Sequence, residues 1–198
     1  MKILVAGATG KTGTHLVKAL KARGHEPVAL VRSSSDTSKL PHDIALRTGD
    51  LTDLQKDVCD GCDIVVFAAG SGGDTGAHMT DKVDRDGAIR LIDLAKQAGV
   101  SRFVMLSTVG AADPDPDSDL AHYLQAKHDA DAHLPASGLE FAIVRPVALN
   151  DDVGGGQIMF GDDVDVKGQA ARVDVAKVLA DAVENPEWTG KALRMQSL

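Results

Sequence analysis

The stretch KILVAGATGKTGTHLVKAL, residues 2–20, leaves a chain few ways to fold. An apolar run, Ile3 to Ala6, stops at the first of three glycines set at every third position, Gly7, Gly10 and Gly13, and an amphipathic stretch is under way by Thr12. A strand that turns directly into a helix through such a run puts one glycine at the tight turn. The second stands at the point of closest ligand approach, and the third where the helix packs on the strand. The backbone N–H groups around Thr9, Lys11 and Thr12 then emerge at the helix start, where the dipole favours a pyrophosphate. Three glycines alone are a weak signal. Their place at the first strand-to-helix junction of an alternating chain gives them weight.

The rest of the chain keeps that alternation. Strands are expected at Lys2 to Ala6, Pro27 to Val31, Ile44 to Arg47, Asp63 to Ala68, Arg102 to Ser107 and Glu140 to Val144, with a seventh at Ala192 to Met195. Helical spacing of apolar residues marks Thr12 to Arg23, Leu54 to Cys59, Val83 to Ala98, Leu120 to Leu134 and Val173 to Glu184. Near-continuous apolar strands imply a sheet covered on both faces. The fold class is therefore α/β, a doubly wound parallel sheet in one Rossmann-like domain over residues 1–198, with a small substrate-side cover at about 147–172. At 198 residues and 43% hydrophobic content the chain fills one core and leaves little for a second domain. Asp113 to Asp119, DPDPDSD, is a solvated loop, with a mobile lid as the other reading.

Charge and composition narrow the partners. A net charge of −8 with no Lys/Arg stripe repels phosphate backbones and anionic membranes, so neither nucleic acid nor a membrane surface is expected. The first apolar run is too short for a signal peptide or a span, which points to a soluble cytoplasmic protein acting on a small molecule. Nothing in the sequence sets the oligomeric state, and a monomer is compatible with it. Cys59 and Cys62 form a C-x-x-C pair without a second ligand pair, so they are expected as buried apolar residues around an Asp60-Gly61 turn. His122, His128 and His133 lack the i, i+4 spacing of a metal pair, and no metal site is expected. The glycine-rich run Asp151 to Asp163 lacks the Gly-Lys-Ser/Thr of a phosphate loop and is expected to cover the substrate side.

At the end of the second strand, where NAD-binding units usually carry an acidic residue for the ribose hydroxyls, this chain has Arg32 followed by Ser33, Ser34 and Ser35. A guanidinium there suits the 2′-phosphate of NADP, with Lys39 able to assist.

With GxxGxxG spacing, Arg32, GDL at Gly49 to Leu51, AAG at Ala68 to Gly70, LSTVGA at Leu106 to Ala111 and VRP at Val144 to Pro146, the whole chain resembles the atypical short-chain dehydrogenase/reductases. It is most similar to the small NAD(P)-binding, NmrA-like group that also contains biliverdin/flavin reductase. The resemblance implies that Asp50 and Leu51 lie beside the adenine and that Ala68, Ala69 and Gly70 line the ribose and pyrophosphate path. It also implies that the segment from Pro146 and Val147 passes near the nicotinamide.

Tyr123, the only tyrosine, precedes Lys127 by four residues, which puts both on one helix face. A phenol can deliver a proton to a carbonyl oxygen as hydride reaches carbon, more readily when a nearby ammonium lowers its pKa. The position of the pair matches the YxxxK helix of the family. A hydroxyl partner comes from LSTVG, Thr108 being favoured over Ser107, and Asp84 stands where larger members carry Asn. An ionised Asp accepts but cannot donate, which leaves a proton relay through it open. The expected activity is NADP-dependent hydride transfer from NADPH to a small carbonyl, quinone or flavin. A non-catalytic NADP(H)-sensing protein of the NmrA-like kind and an epimerase/dehydratase-like enzyme are the alternatives.

Overall fold

A computed structural model describes residues 1–72 and 75–198. Its main sheet contains β1 (Lys2–Ala6), β2 (Glu26–Val31), β3 (Ala45–Thr48), β4 (Ile64–Phe67), β5 (Arg102–Leu106) and β6 (Glu140–Pro146), all parallel. Outside them, β7 (Ala148–Asn150) pairs with β9 (Gln169–Ala171) in a separate two-stranded ladder, β8 (Ile158–Phe160) forms an antiparallel edge, and β10 (Lys191–Ser197) lies parallel to β6. The order is β3-β2-β1-β4-β5-β6-β10-β8, so the chain reverses its direction of winding between β1 and β4. A crevice opens there, at the carboxyl ends of the strands.

The helices are α1 (Lys11–Ala22), α2 (Ala77–Thr80), α3 (Ala88–Gln97), α4 (Ala121–Ala136) and α5 (Arg172–Glu184). Alternate residues of β1 enter opposite cores. Ile3 and Val5 pack in the cluster that holds Leu16 and Leu20 of α1 and Val175 and Leu179 of α5, while Leu4 and Ala6 join Leu91 and Ile92 of α3 and Leu134 of α4. Both faces of the sheet are thus buried, which the unbroken apolar strands require.

Two expectations are corrected. Leu54 to Cys59 forms turns rather than a helix, because six residues between an Asp50–Asp53 bridge and the Gly61 turn cannot offset the cost of a helical nucleus. Leu54, Val58 and Cys59 are nevertheless buried. The helix expected from Val83 begins at Ala77 and passes through a π-helical turn, Asp81–Gly87, before continuing as α3. Gly87 explains the tight seat of that turn, since a Cβ there would lie 2.8 Å from the Leu51 carbonyl oxygen. Cys59 and Cys62 are free and buried as expected, and burial together with the neighbouring thiol pushes Cys59 up to about 12.

Among the described residues, no helix is long and apolar enough to cross a membrane, and no cluster of His, Cys, Asp and Glu could hold a metal. The three α4 histidines go separate ways: His122 lies 3.1 Å from Asp81, His128 Nδ1 2.8 Å from the Ala111 carbonyl and His133 2.8 Å from Asp93.

Candidate active site

The glycine turn is built as its spacing suggests. Gly7 has φ +81°, and a Cβ there would come within 2.6 Å of the Ala68 carbonyl, so the loop lies directly on the end of β4. Gly13 sits so close beneath the turn that a Cβ would fall 1.9 Å from the Gly7 carbonyl. Gly10 differs: it caps α1, its N–H donates to the Gly7 carbonyl at 3.0 Å, and a Cβ would have only that carbonyl within 4 Å. Its outer side is open.

That open side is one wall of a cavity of about 500 Å³ over the crevice. Gly10, Lys11 and Thr12 form one end. Ala68, Ala69, Gly70 and Ser71 after β4 line the floor, Leu106 at the end of β5 and Ser107 after it lie beyond, and Leu120, which caps α4, closes the far end with Tyr123 and Lys127 of that helix. Leu149 of β7 and Arg172 at the start of α5 complete the rim. Residues far apart in sequence thus meet because the turns after β1, β4 and β5 open at the same edge of the sheet.

Lys127 is buried, donates to the Leu106 carbonyl at 2.9 Å and stands 5.5 Å from the Phe67 ring centroid. Burial makes it give up its proton more easily, while Asp84 and Asp131 oppose that. Asp84, in the π-helical turn, is fully buried; its Oδ2 accepts from the Ser71 N–H at 3.0 Å and its Oδ1 has no partner among the described residues. The expectation that an ammonium lowers the Tyr123 pKa is overturned. Burial, then Asp84, then Asp131 push the phenol up to about 12.

Of the two hydroxyls offered after β5, Ser107 lines the cavity and Thr108 does not. Ser107 turns inward at the end of β5 and donates to Asp131 Oδ2 at 2.7 Å, whereas Thr108 caps the 3-10 turn Val109–Ala112, its carbonyl accepting from the Ala111 N–H. Asp131 is a site residue that the sequence reading missed. It lies one helical turn beyond Lys127, so extending the Tyr123–Lys127 register would have found it.

The remaining expected residues divide by position. Gly7, Thr9 and Gly13 are absent from the cavity lining: the glycine turn carries the first two, and Gly13 packs α1 against it. Arg32, Ser33 and Lys39 are exposed beyond the end of β2, outside the cavity. Asp50 and Leu51 follow the adjacent β3, and the Asp50 carboxyl is held low by the Thr52 N–H and hydroxyl and by nearby Arg32. Pro146 and Val147 do not reach the cavity, because both are buried beside β10, where the Val147 N–H donates to the Met195 carbonyl. Leu149 is what that segment contributes. Arg172, also missed, pairs with Asp151 Oδ1 at 2.6 Å while Lys11 takes Asp151 Oδ2 at 2.8 Å, tying the loop after β7 to the glycine turn. No motif marked Arg172.

This geometry fits a dinucleotide: a cradle that a side chain at Gly10 would fill, donors at a helix start, and a crevice at the winding reversal. Comparison with known proteins agrees. A family model described as NAD(P)H-binding matches residues 7–186. A Bacillus subtilis protein named as an uncharacterized sugar epimerase, YhfK, is 34% identical over 97% of this chain and 92% of its own length. A Bacillus halodurans structure provisionally designated a NAD-dependent epimerase/dehydratase is 38% identical, with TM-score 0.94, covering 100% of this chain and 94% of that one. The oxidoreductase YlbE of Lactococcus lactis is 28% identical, with TM-score 0.88, over 100% and 91% of the two chains.

Proposed function

This chain belongs to the NAD(P)H-binding family, in its atypical short-chain dehydrogenase/reductase-like part, and from that premise we propose that it is an NADPH-dependent reductase of a small carbonyl, quinone or flavin. One observation carries the reading: a single cavity joins a phosphate cradle at Gly10 to Thr12 with Ser107, Tyr123 and Lys127 at its other end. The bound nicotinamide would supply hydride, which the protein itself cannot. The chain's own residues do the rest. Gly10, Lys11 and Thr12 hold the diphosphate, and Ala68 to Gly70 underlie the path toward the nicotinamide. Lys127 reaches the nicotinamide ribose from its bond to the Leu106 carbonyl, and the Tyr123 hydroxyl orients the acceptor oxygen. Arg32 recognises the 2′-phosphate from beyond β2.

The size of the cavity supports a small acceptor. At about 500 Å³ it is within the usual range for one small ligand. Two of the relatives carry epimerase names, and an epimerase would take a hydride onto the oxidised cofactor and return it, with no net change in the cofactor.

NADPH binding followed by nicotinamide fluorescence, then NADPH oxidation against aldehydes, ketones, quinones and flavins, tests the reading. Turnover with one acceptor class, weakened in Tyr123→Phe without loss of NADPH affinity, is the expected result. Tight binding with no acceptor reduced refutes it and points to a cofactor-sensing protein.

A further inference from the structure

We propose that Asp131 holds the proton consumed in the reduction and passes it to the acceptor oxygen through Ser107. The inference rests on the reductase reading above.

Tyr123, Lys127 and Asp131 follow one another at four-residue intervals along α4, but only the first two reach the cavity. Asp131 is 3% exposed and lies behind Ser107, itself 5% exposed, which lines the cavity and hydrogen-bonds Asp131. Asp131 Oδ2 accepts from Ser107 and also from Arg145 Nε at 3.0 Å, and its Oδ1 is buried with no partner among the described residues. A buried carboxylate oxygen without a donor is costly when charged and comfortable when protonated.

A serine hydroxyl has a single hydrogen to give. While Asp131 is ionised, that hydrogen points inward, and Ser107 offers the cavity only lone pairs. It can then accept from an alcohol but cannot donate to a carbonyl. When Asp131 is protonated it donates to Ser107, and the Ser107 hydrogen turns to the cavity. As hydride adds to the carbonyl carbon, the carbonyl π pair moves to oxygen, which takes the Ser107 hydrogen. Ser107 recovers one from Asp131. One proton has left Asp131 and two electrons have left the nicotinamide. The product alcohol donates to Ser107, and Ser107 donates to an ionised Asp131, the hydrogen bond seen here. Water entering after product release restores the proton by the same path.

The surroundings suit a group that must both hold and release a proton. Arg145 from β6, Lys127 from α4 and the Ser107 hydroxyl after β5 favour the ionised form, while burial, the largest influence, lifts Asp131 above the usual carboxylate range. Among the described residues, Tyr123 and Asp84 are further ionisable groups that line the cavity beside Lys127 and Ser107. Tyr123 is the weaker candidate acid, since burial and both carboxylates hold its proton more tightly than in a free phenol.

The test has two arms. Infrared titration of the carboxyl bands, wild type minus Asp131→Asn, should place proton loss from Asp131 well above the ordinary value of about 3.9. Ser107→Ala should raise that midpoint further, because it removes a hydrogen bond that favours the ionised form. In single-turnover oxidation of NADPH by phenanthrenequinone, Asp131→Asn should slow the reaction on the order of a hundredfold. It should also remove the pH dependence assigned to Asp131 and leave NADPH affinity unchanged. Asp131→Glu should restore part of the rate, and Ser107→Ala combined with Asp131→Asn should lose no more than either alone. An ordinary midpoint, or a wild-type pH profile in Asp131→Asn, overturns the relay while leaving the reductase reading intact. Failure of wild type to reduce any acceptor overturns both. Should Asp131→Asn not fold, Ser107→Ala, which keeps Asp131 paired with Arg145, decides the matter: the wild type minus Ser107→Ala infrared difference should show a carboxyl midpoint that rises in the variant, and its absence overturns the relay.

Discussion

Replacing Asp84 by asparagine should make Tyr123 a stronger acid. The phenol stands at about 12 against an ordinary 10.0, and burial contributes most, Asp84 next and Asp131 least. A second-ranked contribution accounts for at most half of that rise, so removing the Asp84 charge should lower the midpoint by up to about one pH unit, or about 1.4 kcal/mol. Asparagine keeps an oxygen for the Ser71 N–H, so the turn after β4 retains its partner. The assay is direct, because the chain has one tyrosine and its phenolate absorbance reports this site alone. At pH 11 the ionised fraction should rise from about a tenth toward about a half at the upper limit of the effect. Asp131→Asn should act in the same direction by no more than about 0.7 of a pH unit, the largest share a third-ranked contribution can hold. An unchanged or higher midpoint in Asp84→Asn, with the fold intact by circular dichroism, would refute the placement of a charged Asp84 beside the phenol.

Three further outcomes are expected. Arg32→Ala should weaken NADPH binding by about 1 to 3 kcal/mol and NADH binding much less, with equal losses in fluorescence titrations removing Arg32 from the 2′-phosphate. Gly10→Val should abolish binding of both cofactors yet leave the melting temperature near that of wild type, since only the Gly7 carbonyl, at 3.2 Å, crowds a Cβ there; undiminished affinity would refute the cradle. Because Cys59 is buried with its thiol pushed up to about 12, Cys59 should resist Ellman's reagent at pH 8 until denaturant unfolds the chain, and prompt reaction in the native state would contradict the packing around it.

Much of this molecule was legible because two periodicities were strong. The apolar strand runs and the helical spacing of α1, α4 and α5 located the main sheet and its layers to within a residue or two at most boundaries. The glycine turn was legible because each of its positions answers to a different steric demand. The short strands after β6 were not: β7, β8 and β9 have three residues each, too few for any pattern, and they form only because β7 and β9 pair with each other and β10 offers β8 a neighbour. The acidity of Tyr123 was misjudged for a related reason. Helical spacing put Lys127 on its face, but the carboxylates that matter more come from the same helix two turns on and from a π-helical turn with no sequence signature. Thr108 and Ser107 were adjacent alternatives, and only the inward turn at the end of β5 separates them.

The three glycines at the first turn also say how this chain can vary. In a library of substitutions, Gly7 and Gly13 would be depleted under selection for folded protein alone, one by its positive φ and contact with β4, the other by collision with the Gly7 carbonyl. Gly10 would survive that selection and be lost only when cofactor binding is demanded. A lineage that abandoned the dinucleotide while keeping the fold would therefore be expected to drift at the middle glycine first, its neighbours standing as the scar of an older use.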